Sequence, residues 1–235
     1  MTRTAPVAAL ATAFALGGAW MMPRPAAPGL EGSLLPGAAQ AQEAPSADAE
    51  PTEATAEAAA VTIPDMTLGA EDAPIEVIEY GSFTCPHCAN WHAESWPELK
   101  RDWIDTGRVR FTFREVYFDR FGLWASMIAR CGGEMRFFGI HDLIYEGQSE
   151  WIGDQQPATI ADNLKTLGLA AGLDQATLDA CLKDEAQAEA LVAWYQGNAE
   201  ADGIQATPTF LIDGETYSNM AWDEFEAVLE EKLAD

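Results

Sequence analysis

Four consecutive residues, Cys85-Pro86-His87-Cys88, carry the residue types and spacing for sulfur redox chemistry. Two thiols separated by two residues on a helix lie one turn apart, close enough to form a disulfide. The pair follows an apolar run, Ile75–Tyr80, and precedes a helix-compatible segment, Ala89–Asp105. The order strand, CxxC, helix puts Cys85 at a helix N-terminus. There the unpaired backbone N–H groups and the helix dipole favour a thiolate, the species that attacks disulfides. The motif in this context points to thiol–disulfide exchange. In that chemistry Cys85 is the expected nucleophile, and Cys88, one turn in, the more buried leaving sulfur.

The elements that must position this pair can be read from periodicity. Met66–Leu68 is a short strand candidate, closed by Gly69. Ile75–Tyr80 suits a strand buried on both faces. Ala89–Asp105 reads as one helix kinked at Pro97 and ended by Gly107. Val109–Phe113 alternates as a strand does. From about 118 to 203 the spacing is helical, with candidates Ala125–Cys131, Met135–Tyr145, Thr159–Leu167, Gln175–Leu182 and Ala186–Ala201. Glycines at 132–133, 147 and 168–172 punctuate them, and Asp174 is a natural N-cap. Strand character returns at Thr209–Ile212, turns at Asp213-Gly214, returns through Glu215–Tyr217, and yields to an amphipathic helix, Asp223–Leu233. The order β-β-α-β, helical block, β-β-α describes an α/β sheet interrupted by one helical insertion. Neither flank is long enough to bury a sheet alone.

The chain has 235 residues, 48% of them hydrophobic, and a formal net charge of −25. Residues 61–235 hold 11 basic against 32 acidic residues, so the acidity belongs to the folded part. Nucleic-acid binding needs a basic footprint and is excluded. Pro6–Met22 is apolar, and Ala39-Gln40-Ala41 has the form of a signal-cleavage site. Residues 1–41 read as a secretory signal cleaved after Ala41, or as an uncleaved N-terminal anchor, since the apolar run approaches a spanning length. Either places the domain outside the cytoplasm. Residues 42–60, rich in Ala, Glu, Pro and Thr, read as an acidic disordered linker. His92 and His141 show no metal-ligand spacing and read as ordinary histidines. A zinc site wants a second close cysteine pair, whereas Cys131 and Cys181 stand far apart. The expectation is no metal and no organic cofactor, the redox group being Cys85–Cys88 itself.

Cys85-Pro86-His87-Cys88, the helical insertion and Ala206-Thr207-Pro208-Thr209-Phe210 before the returning strand together resemble the DsbA family of thioredoxin-fold disulfide oxidoreductases. The resemblance covers roughly 61–235 and implies a thioredoxin-like fold with an inserted helical domain. It implies that Thr207–Pro208 is a cis bond opposite the CxxC, and that the backbone of Thr207 is open to a substrate strand. Pro86 and His87 would tune the pair, His87 through an imidazolium near Cys85. Glu79 would be a buried acid that handles the proton of Cys88, with Arg114 as a candidate salt-bridge partner. Its alternative is a strand-end carboxylate facing solvent. The subgroup with a second cysteine pair in the insertion implies a Cys131–Cys181 bridge, which by chain entropy would stabilise by roughly 4 kcal/mol. Tyr80, Phe83, Trp91 and Phe210 would form either an apolar docking rim or core.

The expected function is a periplasmic thiol:disulfide oxidase. Its partners would be reduced translocated polypeptides and, for reoxidation, a quinone-linked membrane oxidase; a monomer is expected. Alternatives are an isomerase or reductase on the same fold, and a non-enzymatic binding module. Isomerases of the superfamily usually carry an N-terminal dimerisation domain, for which residues 42–60 are too short and polar. A binding module needs neither an intact CxxC nor Pro208.

Overall fold

The computed structural model describes residues 61–234. The segments read as signal or anchor and as linker, 1–41 and 42–60, lie outside these residues. Five strands form one sheet: β1 Met66–Leu68, β2 Ile75–Gly81, β3 Val109–Glu115, β4 Thr209–Ile212 and β5 Glu215–Ser218, in the order β1-β3-β2-β4-β5. β2 and β3 are parallel and the other pairs antiparallel. This is the expected thioredoxin-like sheet. β2 lies at its centre, where Ile75, Val77 and Tyr80 are fully buried. A strand flanked on both edges can carry the motif at its C-terminal end without exposing an unpaired backbone.

The helices are α1 Pro86–Glu94, α2 Trp96–Glu98, α3 Arg120–Cys131, α4 Glu134–Glu146, α5 Gln148–Ile152, α6 Pro157–Ala170, α7 Gln175–Cys181, α8 Glu185–Ala201 and α9 Trp222–Ala234. The expected single helix to Asp105 is instead three pieces. α1 stops at Ser95, α2 restarts with Pro97 in its first turn, and Leu99–Ile104 is π-helical. Proline lacks an N–H and its ring crowds the carbonyl four residues back, so it is accommodated only by ending one helix and opening the next. α3 begins five residues earlier than its apolar spacing suggested, because the Asp119 carboxylate accepts from the N–H groups of Phe121 and Gly122 at 2.7 and 3.0 Å. Gly168 does not end α6. A Cβ there would lie 2.4 Å from Leu178 Cδ2, so the missing side chain lets α7 pack closely.

The insertion is not a separate body. One buried cluster runs from the sheet residues Phe111, Phe113 and Phe210 through Trp96 to Phe137, Phe138, Ile160 and Leu178 of the insertion. A buried ion pair reinforces the junction. Arg130 of α3 donates to both oxygens of Glu115 at the end of β3, at 2.6 and 2.7 Å, and to the Pro64 carbonyl at 2.9 Å. Within the insertion, Cys131 and Cys181 are joined by a disulfide across a sequence separation of 50. Replacing both by alanine is expected to lower the unfolding free energy by about 2–4 kcal/mol, with Cys85 reactivity unchanged. Urea unfolding with and without the bridge checks this, and a loss below about 1 kcal/mol would refute it.

Candidate active site

The sulfur pair sits where β2 ends. The chain turns through Ser82–Thr84, with the Cys85 N–H donating to the Ser82 carbonyl at 3.0 Å. Cys85 is the N-cap of α1, with extended backbone, and Pro86 occupies the first helical position, where no N–H is needed. Cys88 follows one turn inside. It is fully buried, whereas Cys85 is 7% exposed, and both are free thiols. The Ser82 N–H points at Cys88 Sγ at 3.5 Å.

Facing Cys85 is the Thr207–Pro208 peptide, which is cis. The Cys85 thiol donates to the Thr207 carbonyl at 3.6 Å. The surroundings make the two sulfurs unequal. A hydrogen bond from the Cys88 thiol, together with the Thr207 side chain and the main-chain N–H groups of Cys88 and His87, outweighs burial and brings Cys85 down to about 5. Burial above all, then the bond to Cys85 and the proximity of Glu79, pushes Cys88 far above the ordinary thiol range. Pro86 and His87 are exposed. The His87 backbone N–H is one of the groups that lower the Cys85 thiol.

Glu79 is 2% exposed, so it does not face solvent. Burial, then the nearby Cys85 charge, raises its carboxyl to about 8. Arg114 is not its partner. Its guanidinium bonds Asp65 at 3.1 Å, Asp202 at 3.0 Å and the Tyr80 hydroxyl at 2.8 Å. β-strand alternation explains this: Arg114 pairs in register with Tyr80, one residue on from Glu79 and on the opposite face.

The four aromatics near the motif take the core alternative and do not form a docking rim. Tyr80, Phe83, Trp91 and Phe210 are at most 3% exposed and belong to the core, because both faces of the sheet are covered by helices. Trp91 packs on Phe210 at 4.6 Å, and Tyr80 donates its hydroxyl to Asp202. The aromatics that reach the surface here are Phe118, Phe121 and Trp124, at the start of α3. That helix touches the motif loop through Gly122, where a Cβ would lie 3.4 Å from Thr84 Oγ1.

Two site residues escape sequence reasoning. Gln148, first residue of α5, donates from Nε2 to the carbonyls of both Phe83 and Cys85 at 2.9 Å and so clamps the motif loop. Tyr145 of α4 is buried near Cys88, Glu79 and Cys85, with its hydroxyl unpartnered. A Cβ on Gly81 would meet that hydroxyl and Glu79 Oε1, each at 2.9 Å, so glycine makes room for both. Nothing local marks these residues, which come from helices about 60 residues beyond the motif.

The family model described as thioredoxin matches residues 61–231. The chain belongs to the thioredoxin family. Within that family it is DsbA-like. The structure of Wolbachia pipientis α-DsbA1 superposes with a TM-score of 0.65 at 25% identity, covering 74% of this chain and 94% of that one. Oxidised BdbD from Bacillus subtilis superposes with a TM-score of 0.65 at 26% identity, covering 73% and 94%. A Rickettsia bellii protein, provisionally named a protein-disulfide oxidoreductase, is 32% identical over 170 residues, which is 72% of this chain and 64% of that protein. The chain thus spans just under two thirds of that relative's length.

In this DsbA-like thioredoxin, alkylation of reduced Cys85 is expected to follow a titration with midpoint near pH 5, as the thiolate forms. The largest lowering influence is the Cys88 thiol, so C88A should move the midpoint up by at least about one unit; an unchanged midpoint would refute the assigned cause. Glu79 produces a separate signature in the oxidised protein, where neither sulfur titrates and burial alone acts on it. At low pH it is protonated whether folded or unfolded. As pH rises through the ordinary carboxylate range, only the unfolded chain ionises it, so stability falls until the folded carboxyl, raised by burial, also ionises. Oxidised wild type should therefore lose stability relative to E79Q as pH rises above about 5. Parallel pH–stability curves would show that Glu79 is not raised.

Proposed function

We propose that this chain is a protein thiol:disulfide oxidase that acts outside the cytoplasm, donating the Cys85–Cys88 disulfide to reduced, translocated polypeptides. The observation that carries this reading is the inequality of the two sulfurs. A favoured Cys85 thiolate stabilises the reduced protein, and a stable reduced form makes the disulfide a strong oxidant. The names of the matched relatives support disulfide chemistry.

In the proposed cycle a substrate thiolate attacks Cys85 Sγ. The Cys85–Cys88 bond breaks as a substrate–Cys85 mixed disulfide forms. Its electron pair leaves on Cys88, which takes up a proton; Glu79, still protonated at neutral pH, is the group placed to supply it. A second substrate thiolate then attacks the substrate sulfur of the mixed disulfide and releases Cys85 as thiolate. The substrate has lost two electrons to the cysteine pair. The backbone at Thr207 offers a substrate segment strand-like pairing beside Cys85. Reoxidation passes the two electrons to a quinone-linked membrane oxidase. No organic cofactor takes part, and the protein works as a monomer in the periplasm, reached by way of the N-terminal segment.

The deciding measurement is the reduction potential of Cys85–Cys88 in glutathione redox buffer. A value on the order of −120 mV is expected for an oxidase. A value near roughly −270 mV would overturn the reading and indicate a reductase.

A further inference from the structure

We propose that His92, His141 and Asp142 form a binding site for one divalent transition cation, with Zn²⁺ the best match, bridging the motif helix α1 to α4 of the insertion. Spacing in the sequence hides this site, since His92 lies 50 residues before Asp142. In the fold the three donor atoms lie within 4.8 Å of one another. His92 Nε2 and His141 Nδ1 both stand 3.1 Å from the same oxygen, Asp142 Oδ1. Two imidazoles and a carboxylate are a usual zinc donor set, with water completing the coordination. The histidines are 5% and 1% exposed, while Asp142 is part-exposed and opens the cluster to solvent.

The tautomers of His141 are the second observation. Its Nε2 is buried with no polar partner, and the ring makes edge-to-face contacts with Phe83, Phe113 and Tyr145. If Nδ1 carries the proton and donates to Asp142, a bare Nε2 lone pair faces aromatic surroundings with no donor. If Nε2 carries it, that N–H faces aromatic rings, a tolerable contact, but the Nδ1 lone pair then faces a carboxylate. An imidazolium would place a charge in the aromatic core. A cation between Nδ1 and Asp142 resolves the second arrangement: both lone pairs become ligands, the ring proton stays on Nε2, and the Asp142 charge is compensated.

The site does not depend on the redox reading and is tested apart from it. The full chain is used oxidised, so that all four cysteines are bridged and offer no thiolate. Titration with Zn²⁺ against a chromophoric chelator should show one ion per chain, with D142N weakening the affinity at least tenfold. Acidic surface groups binding loosely would be unaffected by D142N. The chain has three histidines, so imidazole ¹⁵N spectra of the wild type are readable without any variant. On adding Zn²⁺, His92 Nε2 and His141 Nδ1 should shift, with His87 as internal control. Absence of stoichiometric binding, unchanged affinity in D142N, or shifts confined to His87 would each overturn the proposal.

Discussion

Cys85 can carry a negative charge in this site because Cys88 keeps its proton. The strongest influences on each sulfur widen that difference. Cys85 is the N-cap, at the end of β2, where main-chain N–H groups of the first helical turn are free to face it. Cys88 lies one turn deeper, without solvent, near an acid that would resist a second negative charge. The same burial that raises Cys88 raises Glu79, so at neutral pH the acid rests protonated beside a sulfur that must gain a proton whenever the disulfide opens. Desolvation, normally a cost, is here the source of the asymmetry.

Maintaining that geometry requires more than the sheet and α1. Gln148 fixes the carbonyls of Phe83 and Cys85, Tyr145 is buried beside Cys88 and Glu79, and Gly122 lets α3 rest against Thr84. All three come from the insertion, which is held to the sheet by shared aromatic packing and by the Glu115–Arg130 pair. Losing one member of a buried pair leaves an uncompensated charge and typically costs about 3–5 kcal/mol, whereas an apolar replacement of both is often neutral. The pair therefore acts more as a constraint on how α3 meets the end of β3 than as a net source of stability. The insertion is part of the active site's scaffold.

What the sequence discloses follows from the range of the physics involved. β2, β3, β4 and the CxxC were legible because strand periodicity, the thiol spacing and the helix start are local. Asp174 was legible as a cap for the same reason, and its carboxylate accepts from the Thr177 N–H at 3.0 Å. The breakup of the helix after Glu94 was half-legible: Pro97 signalled a disturbance but not whether a kink or a restart would accommodate it. α5 went unseen behind Gly147, although Trp151 anchors it by donating its indole N–H to the Ile144 carbonyl at 2.9 Å. Gln148, Tyr145 and the His92–Asp142–His141 cluster could not be read, because each depends on packing between segments 50 or more residues apart. The aromatics near the motif stayed open between rim and core, because composition does not say that helices cover both faces of the sheet, and all four are buried. Arg114 was misjudged by one residue of strand alternation, which is the whole difference between the Glu79 face and the Asp202 face.

The charge balance of the domain fits this arrangement. An acidic surface would ordinarily disfavour an added anion, and a cationic side chain beside Cys85 would be the direct remedy. The structure follows another course. Arg114, the guanidinium on β3 beside β2, is engaged by Asp65 and Asp202. The groups that lower Cys85 most are a thiol, a threonine side chain and two main-chain N–H groups, all neutral. Such donors act over hydrogen-bond distances and are little screened by salt, whereas the field of surface charges decays within roughly 10 Å at 0.1 M ionic strength. A thiolate held in this way is insulated from the strongly negative exterior. The reactive sulfur and the acidic surface can then be set independently, the first by the helix start and Cys88, the second by whatever the surroundings of the protein require.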